Sequence, residues 1–167
     1  VTVSLRSCAI VAFLLEWILA QSFSASKGIH EMQTATVKWI SHQQFLATSP
    51  SGHSLAIDSD RKSNLAPGPM ELVLIALGAC TATDVVSILE KKRQLPQSLE
   101  VICSGERATE PPTVWRKLEI HYRLRGHVDK ASAEHAIKLS EEKYCSVSAM
   151  LQKTATITWS LEILPPL

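Results

Sequence analysis

At 167 residues the chain is long enough for one domain with a real hydrophobic core and short for two. Hydrophobic residues make up 46% and charged residues 20%, the composition of an ordinary globular protein. Seventeen Lys and Arg against sixteen Asp and Glu leave a net charge of +1, which gives no electrostatic case for binding nucleic acid or an anionic membrane surface.

Residues 1–31 differ in character from the rest of the chain. Arg6 precedes an apolar run from Cys8 to Ala20 that Glu16 interrupts, and a small polar stretch comes next. The arrangement is similar to a secretory signal, although Glu16 and the leading Val depart from one. The run is shorter than the roughly 20 apolar residues that a bilayer span needs. A signal-like segment, an artefactual or unstructured extension, and an extra helix packed on the domain are the open readings. The domain itself is expected from Met32 to Leu167.

Thr34 to Ile40 alternates, with Ala35, Val37 and Trp39 on one side of a strand. Gln44–Thr48 and Ser54–Asp58 read as two more short strands around the turn signal Ser49-Pro50-Ser51-Gly52, making an antiparallel meander. After a polar loop, Pro69 opens a helix to about Arg93, which Pro96 stops. Its middle is apolar nearly all round, so burial in the core is expected. Glu71 and Asp84 argue against a membrane span. Strands are predicted over Ser98–Arg107 and Val114–Arg125, joined through Pro111-Pro112. Asp129 is set to cap a helix from Lys130 to about Tyr144, with Ala133, Ala136, Ile137 and Leu139 as its apolar stripe. Cys145 to Ser148 opens a further helical turn, and Thr154 to Leu164 closes the domain as a strand.

The cysteines Cys8, Cys80, Cys103 and Cys145 contain no CxxC pair of the zinc or thioredoxin type. A domain this apolar does not need disulfide staples, so the thiols are read as reduced, in a cytoplasmic protein. The six histidines have no ligand-like spacing, and there is no HExxH or phosphate loop, so neither metal nor cofactor is expected. Cys103 shares a strand face with Leu99 and Val101 and reads as core. Cys80 lies mid-helix among Gly78, Ala79, Thr81 and Ala82. Those small neighbours mean either space beside the thiol or close packing of another element. Cys145 lies near a helix start, where unpaired N–H groups can acidify a thiol. The two fit a peroxidatic and resolving couple, and their separation of 65 residues (145 − 80) neither supports nor forbids contact.

Ala66 to Leu89 (APGPMELVLIALGACTATDVVSIL) together with Glu142 to Met150 (EKYCSVSAM) resembles the OsmC/Ohr family, in its YhfA-like branch. The resemblance runs from about Met32 to Leu164. It implies an α+β fold with antiparallel sheets around a long buried central helix, in an intertwined homodimer with active sites at the subunit interface. It also implies a thiol peroxidase that reduces organic hydroperoxides, with Cys80 peroxidatic, Cys145 resolving, and a thiol or dithiol as reductant. In such peroxidases a Glu ten residues before the reactive Cys helps to hold an Arg against the thiolate. Here Met70 stands at that position and Glu71 is the next residue. At about 100° per residue, ten positions leave two side chains roughly 80° apart and nine put them on opposite faces, so Glu71 does not inherit the role. Arg61, in the loop before the helix, is the candidate for the Arg, against the plain reading of a solvated loop charge. Asp84 lies one turn after Cys80 and disfavours a thiolate there unless a cation intervenes. The alternative function is therefore a small-ligand-binding or redox-sensing homodimer without efficient peroxidase activity.

Overall fold

Alternating β-branched and aromatic residues form the first sheet of the computed structural model, which describes residues 32–167. The readings of residues 1–31, Cys8 included, lie outside them. Strands β1 (Thr36–Ser41), β2 (Gln44–Thr48) and β3 (Ser54–Asp58) are ordered β1-β2-β3. The β2–β3 turn closes where the Gly52 N–H donates to the Ser49 carbonyl at 2.9 Å, and the φ of 85° at Gly52 is one that glycine adopts without strain. Residues 32–36 and 48–53 form a small unit of their own; residues 37–47 and 54–167 form the larger one, which carries every candidate site residue.

Helix α1 (Pro69–Lys91) begins where Pro69 supplies the fixed φ of a first helical residue. The Gly68 N–H donates to Glu71 Oε2 at 2.7 Å, so Glu71 serves as a cap. The helix ends as Arg93 takes a φ of 58°, and Gln94 exchanges hydrogen bonds with Asp129 at 2.6 and 3.0 Å. Leu77, Thr81, Val85 and Leu89, spaced by four, are fully buried along one stripe. The opposite side is open: Ile75 is 57% exposed, and Ala76, Ala79, Thr83 and Ser87 also face solvent. All-round burial, expected from the sequence, is thus corrected to one face. One three-stranded sheet and two short helices are too little chain to wrap a 23-residue helix. By length and composition α1 could cross a bilayer, so charge spacing alone does not decide its role; its buried stripe makes it a core helix.

The second sheet contains β4 (Ser98–Arg107), β5 (Trp115–Arg125) and β6 (Thr156–Leu164), in that order. β4 and β5 are antiparallel, but β5 and β6 are parallel, with Ile120 beside Trp159. This corrects the expectation of antiparallel pairing throughout. The helical segments between β5 and β6 make the crossover that a parallel pair requires. They are α2 (Lys130–Leu139), a π-helical turn (Ser140–Tyr144) and α3 (Ser146–Leu151). β6 starts at Thr156 instead of Thr154 because the Thr154 and Ala155 N–H groups close α3 on the Leu151 carbonyl.

β5 sets the core. Leu118, Ile120, Tyr122 and Leu124 are buried on one face, while on the other Arg123 pairs with Glu100 and Glu162 at 2.9 Å each. Leu118→Ala is therefore expected to cost about 2–5 kcal/mol in denaturant unfolding. Glu119→Ala, which breaks only the exposed pair with Lys117, should cost under about 1 kcal/mol. Equal losses in the two variants would contradict this placement of the core.

Candidate functional site

Two polar residues interrupt apolar stripes and meet. Thr81 stands on the Leu77–Val85 stripe of α1, and Ser140 comes directly after α2, whose stripe is Ala133, Ala136 and Ile137; both are fully buried. The Ser140 hydroxyl lies 2.8 Å from Asp84 Oδ2 and 3.1 Å from Thr81 Oγ1. Its single proton goes to the carboxylate, the stronger acceptor, which leaves the Thr81 oxygen to bond with the Tyr122 hydroxyl at 2.6 Å. Burial pushes the Tyr122 phenol well above its ordinary value, so it remains a neutral partner in the chain.

The π-helical turn then places the second thiol. The Cys145 N–H donates to the Ser140 carbonyl, five residues back, at 2.8 Å. The widened turn ties Cys145 to the residue that holds Asp84. The reactive atoms of Cys80, Asp84 and Cys145 all lie within 4.8 Å of one another. Cys145 is 2% exposed and Cys80 is half-buried.

Acidification of Cys145 by a helix start, expected from the sequence, is reversed. The Ser148 N–H does donate to Cys145 Sγ at 3.3 Å. Burial is the larger effect, and with the adjacent Cys80 and Asp84 it pushes the Cys145 thiol up to about 11. Of the two thiols, Cys80 is the more exposed, and Cys145 is buried and protonated at neutral pH.

The other candidates are not drawn in. Arg61 is exposed on the loop that buried Asp58 shapes through hydrogen bonds from Ser63, Asp60 and Leu65. No hydrogen bond or ion pair links Arg61 to Cys80 or Cys145 among the described residues. Met70 packs half-buried against the core. Cys103 lies on β4 and packs beside Gly78 of α1: a Cβ added at Gly78 would sit 3.2 Å from its sulfur. Of the two sequence readings of the small residues, close packing holds at Gly78, and the open space nearby is not lined by Cys80. Gly78 allows close packing on β4, whereas Ala79 helps to line an open apolar groove of about 410 Å³ with Leu74, Ile75, Leu99, Val101 and Cys103.

Thr81, Tyr122, Ser140 and Glu141 were not among the sequence candidates. A hydroxyl in an apolar stripe was the available signal for Thr81 and Ser140. Glu141 Oε1 is buried without a hydrogen-bond partner, and burial, reinforced by Glu142, pushes its carboxyl up to about 7.

A family model described as "OsmC-like protein" matches residues 61–160. Protein YhfA of Escherichia coli K12 is 43% identical over 130 residues, covering 77% of this chain and 96% of YhfA. A hypothetical protein from Aquifex aeolicus, of known crystal structure, is 31% identical with a TM-score of 0.74, over 82% of this chain and 99% of its own. An organic hydroperoxide resistance protein OsmC from Legionella pneumophila shares the fold at 13% identity, with a TM-score of 0.62 over 81% of this chain and 99% of its own.

Glu141 gives a pH signature. Its carboxyl binds a proton more tightly in the folded chain, at about 7, than at its ordinary 4.5. Its contribution to stability is therefore full below about pH 4.5 and is lost as pH rises through 7. Glu141→Gln should be more stable than wild type by about 1–2 kcal/mol at pH 8, discounted for partial exposure, and equal to it near pH 4.5. Urea unfolding at both pH values checks this; a difference independent of pH would contradict it.

Proposed function

Because the chain belongs to the OsmC-like family, we propose that it is a thiol-dependent peroxidase that reduces organic hydroperoxides through Cys80 and Cys145. The observation that carries the reading is that one half-exposed and one buried thiol, 65 residues apart in sequence, lie within 4.8 Å. The Cys80 thiolate attacks the terminal peroxide oxygen, the O–O bond breaks, and the alkoxide leaves with a proton as an alcohol. Cys80 becomes a sulfenic acid. Cys145 then attacks that sulfur, water leaves, and a disulfide forms. A small thiol or dithiol returns the two electrons.

The chain acts as a homodimer in the cytoplasm. Support for the dimer comes from apolar side chains left open in the single chain: Trp39 is 68% exposed, Val37 59%, Ile40 57% and Ile75 57%. Burying Ile75 and its neighbours would complete the uncovered side of α1. Arg61, which is not bonded to either thiol within the described residues, would serve a cysteine pair across such an interface. The second reading, ligand binding or redox sensing without fast turnover, is favoured by one observation. Asp84 adds negative charge beside the thiols, and no cationic side chain among the described residues pairs with it.

With cumene hydroperoxide and a dithiol, Cys80→Ser should fall to the uncatalysed rate. Without the dithiol, Cys145→Ser should consume one equivalent and stop, its Cys80 sulfenic acid trapped by dimedone. Normal turnover in Cys80→Ser refutes the peroxidase; a wild type inert to the peroxide leaves the binding reading in its place. Sedimentation should give twice the 18.4 kDa chain mass, and a monomer at micromolar concentration refutes the dimer.

A further inference from the structure

We infer that Cys80, Cys145 and Asp84 form a binding site for a thiophilic divalent cation of the zinc class. The three side chains are shared with the peroxidase reading, but the inference does not depend on their reaction with a peroxide. Two sulfurs and a carboxylate oxygen within 4.8 Å of one another are a borderline-soft donor set of the kind zinc takes. With Zn–S bonds of about 2.3 Å, tetrahedral coordination places two sulfurs about 3.8 Å apart. The sulfurs here lie within 4.8 Å of each other, about 1 Å or less from that separation.

The surroundings match the needs of such a site. Ser140 donates to Asp84 Oδ2 at 2.8 Å and so orients the carboxylate. The Ser148 N–H donates to Cys145 Sγ at 3.3 Å, which stabilises a thiolate ligand. Ionised together, the three groups carry three negative charges, and no Lys, Arg or His among the described residues pairs with them. A divalent cation supplies the missing positive charge and displaces two thiol protons to solvent. The half-exposed Cys80 side leaves a fourth position for water. The histidines, scattered in sequence, play no part; the donors come instead from a helix and from the residue after a π-helical turn. A bound cation would occupy both sulfurs and hold off their disulfide, so metal binding and oxidation exclude each other.

The test uses the reduced, untagged full chain and Co²⁺, then Zn²⁺ in competition with a chromogenic chelator. One Co²⁺ per chain should give a thiolate-to-cobalt charge-transfer band and the intense d–d bands of tetrahedral coordination. Cys80→Ser and Cys145→Ser should each weaken Zn²⁺ on the order of 100-fold, and Asp84→Asn about tenfold, with Cys103→Ser unchanged. In wild type, where folding is not in question, Zn²⁺ should slow maleimide labelling of Cys80 and Cys145 and leave Cys103 unaffected. Co²⁺ bands without charge transfer, or Zn²⁺ that protects Cys103 equally, would overturn the site. Hydroperoxide turnover is measured separately on metal-free protein, so failure of the peroxidase reading and failure of the metal site are read independently.

Discussion

Ser140 holds the site together. Its hydroxyl meets α1 at Thr81 and orients Asp84 at 2.8 Å, and its carbonyl receives the Cys145 N–H at 2.8 Å. Thr81 extends the contact to Tyr122 at the centre of β5. Four elements, the central helix, the sheet, α2 and the π-helical turn, are thus fixed to one buried polar chain. An unmade hydrogen bond in such a place costs about 1–3 kcal/mol, so the chain specifies one arrangement of the thiols among those that apolar packing alone would allow.

Two opposed effects act on Cys145. A backbone N–H favours its thiolate, whereas burial and two neighbouring acids disfavour it more. A protonated thiol shielded at 2% exposure is a poor target for an outside oxidant, which suits the resolving role proposed for it. Asp84 is the residue that sets the site apart, since its negative charge beside the thiols opposes thiolate formation.

Much of this was legible in the sequence because period and punctuation are local. Pro69 and Asp129 marked helix starts, alternation marked the strands of both sheets, and the face of Cys103 came from Leu99 and Val101. What the sequence did not display was non-local. The parallel pairing of β5 with β6 depends on a crossover whose length is visible but whose route is not. The open face of α1 looks, by composition, the same as a buried one. The π-helical turn replaces the last part of a helix with no residue type that announces it. The meeting of Cys80 and Cys145 came from resemblance and is supplied in the structure by Thr81 and Ser140, each an ordinary hydroxyl until its partner across the fold is known.

The most direct measurement is peptide mapping by mass spectrometry of the reduced, metal-free wild type after one equivalent of cumene hydroperoxide. A Cys80–Cys145 disulfide with Cys103 free, formed faster than with hydrogen peroxide, is the predicted result. A disulfide that includes Cys103, or thiols that persist for hours, would contradict the account.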